Sequence, residues 1–164
     1  MKKLIMPVFL GVVALGLIGA GCTVANQPLV GVNTPNVPAN GSTLDLNNKG
    51  LAAVPKYVFS LTGLTELNLS HNNLTGAIPG EIRFLKNLKS LDLSYNQMTG
   101  VPAEVGQLSN LVTLNLSYNK LTGLPNELGN LKNLKTLNLS GNNCSPQDVA
   151  VIQKSLSASC HVIK

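Results

Sequence analysis

Chemistry in this 164-residue chain would have to come from few residues: three cysteines, two histidines, some scattered acids and a pair of repeated tyrosines. Cys22 stands alone near the N-terminus, and Cys144 and Cys160 lie sixteen residues apart near the other end. Two thiols at that spacing suit a disulfide if the chain is exported, because export places it in an oxidising compartment. His71 and His161 have no nucleophile at a recognisable motif spacing, so neither is a general base with a partner to activate. Asp45, Glu66 and Asp92 are candidates for a weak cation site or a carboxylate pair; their ordinary role would be as solubilising groups. Tyr95 and Tyr118 repeat 23 residues apart, with His71 preceding them by 24. Tyrosine offers a large contact area and a hydrogen-bonding tip at low entropy cost, which favours binding over catalysis. The expectation is a non-enzyme without metal or cofactor.

Composition narrows the classes further. The chain is 44% hydrophobic and 12% charged, one domain's worth of material with enough apolar residues for a core. Its formal charge of +5 falls to +3 without Lys2 and Lys3, and the remaining bases are scattered among acids. Nothing resembles the basic stripe that tracks nucleic-acid phosphates, so no nucleic-acid partner is expected.

The first 22 residues, "MKKLIMPVFLGVVALGLIGAGC", run from a basic start through an apolar stretch, Leu4 to Ile18, to small residues. That order is a secretory signal peptide over residues 1–21. A membrane-spanning anchor is the alternative, but the stretch is short of the roughly 20 residues needed and contains Pro7. Gly19-Ala20-Gly21-Cys22 resembles the lipobox of bacterial lipoproteins, with Gly19 where that family most often has Leu. The resemblance implies lipidation at Cys22 and a membrane anchor of two or three acyl chains on the cell envelope. Thr23 after the cysteine resembles the class sorted to the outer membrane where the envelope is Gram-negative. Residues 22–41 carry no charge and include Pro28, Pro35 and Pro38, which reads as a flexible tether.

From Leu44 the chain repeats itself. Units begin at Leu64, Leu88 and Leu111, with lengths of 24, 23 and 23 residues, flanked by partial copies, about five in all. "LTELNLSHNNLTGAIP", "LKSLDLSYNQMTGVP" and "LVTLNLSYNKLTGLP" resemble the leucine-rich repeat, in its plant-type and bacterial L-T-G-x-[IL]-P form. The resemblance implies an α/β solenoid over residues 42–144. Short parallel strands line the concave side, 3₁₀ or short helical turns the convex side, and a helix caps the C-terminus over residues 145–164. Asn72, Asn96, Asn119 and Asn142 form the expected asparagine ladder, starting one unit late because Lys49 takes the first place. The longer unit predicts a small bulge at Gly76-Ala77. Asn-x-Ser/Thr at Asn68, Asn73, Asn115 and Asn138 arises from the repeat itself and implies no glycosylation.

With leucines and ladder asparagines inside, the concave face is left with Glu66, Asp92, Asn115 and their neighbours, and with the column Asn48, His71, Tyr95, Tyr118, Gly141. His71, Tyr95, Tyr118, Glu66, Asp92 and Asn115 are the candidate ligand-binding residues. Ser145-Pro146-Gln147-Asp148 predicts a helix start, and Val149, Ile152 and Leu156 give that helix one apolar stripe. A helix ending near Ser155, followed by four extended residues, allows Cys160 to return to Cys144, a disulfide of about 3 kcal/mol. The other reading makes Cys144 a free, buried substitute for leucine. Family resemblance implies a monomeric recognition module with an unknown protein partner. A structural or glycan-binding envelope lipoprotein is the alternative.

Overall fold

The computed structural model describes residues 42–164; the expected signal peptide, Cys22 and tether lie outside the described residues. Six parallel strands form one sheet: β1 (Ser42–Asp45), β2 (Leu64–Asn68), β4 (Ser90–Asp92), β6 (Thr113–Asn115), β7 (Thr136–Asn138) and β8 (His161–Ile163). A two-stranded sheet follows the turn, β3 (Thr75–Gly76) with β5 (Gln97–Met98). Register is carried by identical positions: Leu44, Leu67, Leu91, Leu114, Leu137 and Val162 lie side by side. Since alternate side chains of a strand point to opposite faces, this column and the next leucines, Leu69, Leu93, Leu116 and Leu139, enter one continuous core.

The returning half of each unit is a five-residue 3₁₀ turn: Lys56–Ser60, Gly80–Phe84, Ala103–Gln107 and Asn126–Asn130. Pro55, Pro79, Pro102 and Pro125 precede them in extended conformation, and their carbonyls accept the N–H of the residue three further on, Val58, Ile82, Val105 and Leu128. Those four donors are all buried in the core, joined by Phe59 in the first turn. Proline suits the place because it needs no N–H partner. Adjacent turns approach closely enough at Gly106 that any Cβ there would run into the Glu127 carbonyl. The 24-residue unit keeps the main sheet in register. Its extra residue is absorbed at Gly76 (φ 65°), whose carbonyl accepts the N–H groups of Thr99 at 2.9 Å and Gly100 at 3.2 Å.

The asparagines occupy the turn after each strand. Asn96 Nδ2 donates to the carbonyls of Leu69, Leu93 and Ser94 at 3.0–3.1 Å, and its Oδ1 accepts the Leu74 N–H at 3.0 Å. Asn72, Asn119 and Asn142 repeat the pattern, each reaching back to the preceding unit. In the first copy, Asn72 Oδ1 accepts the N–H of Lys49 itself at 3.0 Å. Each amide thus spends its donors and acceptor on backbone groups, fully buried around Asn96 and Asn119 and partly buried at the ends of the ladder.

Helix α1 (Pro146–Ser155) closes the stack with Val149, Ile152 and Leu156 buried. Ser145 Oγ accepts the Asp148 N–H, and Asp148 Oδ2 in turn accepts the Leu124 N–H at 3.2 Å. Lys132 Nζ donates to the Ser155 carbonyl at 2.7 Å, so both ends of the cap are tied to the last units. The expected disulfide is not formed: Cys144 and Cys160 are free thiols, both half-buried. Residues after the helix return to the wrong end of β7 for a bond. The His161 N–H donates to the Lys135 carbonyl, so Cys160 lies before β8, whereas Cys144 lies beside Leu139 and Lys164, past its end. Four residues of strand, roughly 13 Å, separate Cys160 from Lys164; a disulfide tolerates Cα atoms about 7 Å apart. Cys144 takes the leucine position instead.

Replacing Asn96 with Ala should lower stability by about 3 kcal/mol, because several buried backbone groups lose their partner. Asn87→Ala, which removes one exposed bond to Thr62, should cost less than about 1 kcal/mol; equal denaturant midpoints for the two variants would contradict this role. Burial, with the Asp148 carboxylate adding, raises the pKa of the Cys144 thiol, and burial also raises that of Cys160 against a hydrogen bond to the Leu137 backbone. Both should therefore alkylate slowly near neutral pH and fully in denaturant without reductant, read by peptide mass; a cross-linked peptide two daltons lighter would restore the disulfide.

Candidate functional site

Register places every exposed sheet position in a row. One row is Thr43, Glu66, Ser90, Thr113, Thr136 and His161, and the other is Asp45, Asn68, Asp92, Asn115, Asn138 and Ile163. His161 and Ile163 join this face because β8 adds a sixth strand, which the repeat alone does not announce. Asp45, Glu66 and Asp92 are brought together: with Thr43, Asn68 and Ser90 they line one shallow depression over the first three units. Thr43 Oγ1 donates to Glu66 Oε2 at 3.0 Å. Hydrogen bonds from the Asn47 backbone and side chain hold the Asp45 carboxyl below its usual pKa.

Much of the second row is committed to the fold. Asn68, Asp92, Asn115 and Asn138 each accept two bonds through Oδ1, from the N–H and the Oγ of the serine two residues on. These local turns end the strands. The N/D-x-S spacing that produces them recurs in the four units from Asn68 to Ser140, and Asp45-Leu46-Asn47 replaces it in the first. Asn115 also donates from Nδ2 to Asp92 Oδ2 at 3.1 Å.

The aromatic residues form a true stack. His71 and Tyr95 rings lie 4.3 Å apart with planes 9° apart, and Tyr95 and Tyr118 lie 4.5 Å apart at 14°. Their backbones explain why they align. Asn48, His71, Tyr95 and Tyr118 all have φ of 52–54°, the left-handed region, and Gly141 ends the column at 71°. The N–H of each donates to the serine carbonyl of the next unit: His71 to Ser94, Tyr95 to Ser117, Tyr118 to Ser140. Left-handed backbone costs a non-glycine residue about 1–2 kcal/mol. Asn and Gly tolerate it, and the ends of the column use them. His and Tyr between them are held against that preference, and each stacked pair returns about 0.5–1.5 kcal/mol.

Stacking decides what the column presents. Tyr95 has a ring on either side, and Tyr118 lies between Tyr95 and Gly141, where a Cβ would come within 2.6 Å of the Tyr118 ring. Tyr95 is therefore covered on both faces and Tyr118 is flanked by Tyr95 and Gly141, while 45% of Tyr95 and 52% of Tyr118 remain exposed. His71 is committed to this stack, and His161 is at the opposite edge of the sheet. Among the described residues no group of three or more His, Cys, Asp or Glu side chains is placed to hold a metal ion.

The family model for the leucine-rich repeat region matches residues 43–156. Among solved structures, a leucine-rich-repeat protein of Leptospira interrogans is 42% identical with a TM-score of 0.64, over 68% of this chain and 28% of that one. The BIR3–SERK2 complex of Arabidopsis thaliana contains a chain 32% identical, TM-score 0.60, matched over 74% of this chain and 66% of its own. Lumican of Oryctolagus cuniculus is 38% identical over 68 residues, 40% of this chain and 35% of that protein. The chain spans about a third or less of the curated relatives it matches. Proteins of this kind generally mediate protein binding rather than catalysis. With its register, its asparagine ladder and this match over most of its length, the chain belongs to the leucine-rich repeat family.

Proposed function

We propose that the chain is a non-catalytic recognition module, displayed on a bacterial cell envelope by lipid at Cys22 and binding a partner protein through its concave face and the adjoining tyrosine ridge. The observation that carries this reading is the stack at His71, Tyr95 and Tyr118, built on backbone that glycine or asparagine would fill at lower cost. The repeat puts left-handed backbone here in every unit but does not demand an aromatic side chain, and non-glycine residues held in such conformations cluster at ligand-binding sites. With Tyr95 covered on both faces and Tyr118 flanked by Tyr95 and Gly141, the tyrosines of the ridge offer mainly edges and hydroxyls. Edges and hydroxyls suit polar backbone and side-chain groups of a protein, and leave a sugar ring little tyrosine face to lie on. The solved complex containing a similar chain supports a protein partner.

Anchoring rests on the signal-like start, the Gly19-Ala20-Gly21-Cys22 sequence and the uncharged, proline-bearing stretch after it. If Cys22 carries lipid, the wild-type chain should fractionate with membranes at a mass increased by its acyl chains, and Cys22→Ala should be found in the soluble exported fraction. Equal partitioning and no added mass would sink the anchor.

For the face, asparagine is the informative substitution because it keeps the left-handed backbone. The Tyr95→Asn/Tyr118→Asn variant should retain a thermal midpoint within about 5 °C of wild type and lose at least about tenfold in affinity for a protein captured from envelope extract. Undiminished capture would remove the ridge from the account. Sedimentation with purified cell wall, unaffected by the substitutions, would favour the glycan-binding or structural alternative.

A further inference from the structure

The chemistry of the partner is written on the same face. Ten Lys and Arg residues against seven acids leave residues 42–164 net positive, yet no Lys or Arg occupies any position of the two exposed sheet rows. Three of those seven acids do, all within the first three units. The turn-forming bonds do not require their charge, although Asp92 Oδ2 also accepts Asn115 Nδ2 and both Asp45 oxygens accept Asn47 Nδ2. Asn68, Asn115 and Asn138 make the same two Oδ1 bonds that Asp92 makes, and Ser90, Thr113 and Thr136 fill the row in which Glu66 stands. Glu66 stands on the strand between those of Asp45 and Asp92 and diagonal to both, roughly 8 Å away at the Cα level, so the three carboxylates share one patch that a Lys or Arg side chain laid across the strands would meet.

The ridge borders these carboxylates. His71 follows Asn68 by three residues and Tyr95 follows Asp92 by three, so their Cα atoms lie within about 10 Å. A chain laid across the strands would meet carboxylates on one side and hydroxyl tips on the other. We propose that this sheet face, with its tyrosine rim, takes an extended segment of the partner protein that carries Lys or Arg. The proposal rests on the recognition reading above and adds the charge of what is recognised. Complementary charge of this kind contributes specificity and association rate, and its effect falls as salt rises.

The test uses the full chain and fluorescence anisotropy with labelled peptides of about eight residues, long enough to cross three strands, alternating Lys-Ser, Gln-Ser or Glu-Ser. The Lys-Ser peptide should bind at least about tenfold more tightly than Gln-Ser, with Glu-Ser weakest. The combined variant Asp45→Asn, Glu66→Gln, Asp92→Asn should abolish that preference with a thermal midpoint within about 5 °C of wild type, since asparagine keeps the Oδ1 bonds and only the second-oxygen bonds from Asn47 and Asn115 are lost. Equal affinity for Lys-Ser and Gln-Ser, or a preference that survives in the triple variant, overturns the proposal. The two readings separate in one further comparison: a captured protein that needs Tyr95 and Tyr118 but binds the triple variant as well as wild type leaves recognition standing and removes the basic segment.

Discussion

The rest of the structure depends on the side-chain amide of one asparagine per turn. Its Nδ2 donates to carbonyls of its own unit and of the one before, and its Oδ1 accepts an N–H from the preceding unit's returning loop. Leucines alone would bury apolar surface in any register. The amide adds direction, because a slip by one residue would leave those backbone groups buried without partners at about 1–3 kcal/mol each. Four successive asparagines therefore lock strand order, strand register and the position of the turn that follows each strand.

That turn is where function enters. The serine carbonyl that accepts the asparagine amide also accepts the N–H of the left-handed residue from the preceding unit, as Ser94 does for Asn96 and His71. One carbonyl thus ties the ladder to the aromatic column. Ring spacing of 4.3 and 4.5 Å is close to the strand spacing of about 4.8 Å, so stacking follows from the sheet once aromatic residues occupy the position. What the fold does not demand is that they be aromatic, and Asn48 and Gly141 show what the backbone alone would select.

How much of this was legible differs by kind. Leucine spacing announced the strands and their pairing. Proline followed by apolar residues at intervals of three announced the 3₁₀ turns, and Ser145-Pro146 with the stripe at Val149, Ile152 and Leu156 announced the cap. Binding residues were legible as columns, but not their geometry. Left-handed backbone at His71, Tyr95 and Tyr118 was hidden because tyrosine normally argues against it, although Asn48 and Gly141 in the same column carried the hint. Asx turns from Asn68 to Ser70 and at its equivalents were hidden because each residue type also suits a solvent-facing strand. Of the two readings of Cys144 and Cys160, the disulfide fails for a different reason. Repeat logic fixes where Cys144 stands, while the path from Leu156 to Cys160 is set by β8 completing the sheet edge, and no local pattern states to which end of a strand a returning chain will go.

Hydrogen exchange by mass spectrometry on the full chain, alone and with the protein it captures, tests the central claim most directly. If the concave face and its tyrosine rim form the recognition surface, added protection will concentrate in residues 66–71, 90–95 and 113–118. Protection confined to the convex turns at 80–84, 103–107 and 126–130, or to the cap at 146–155, would contradict it.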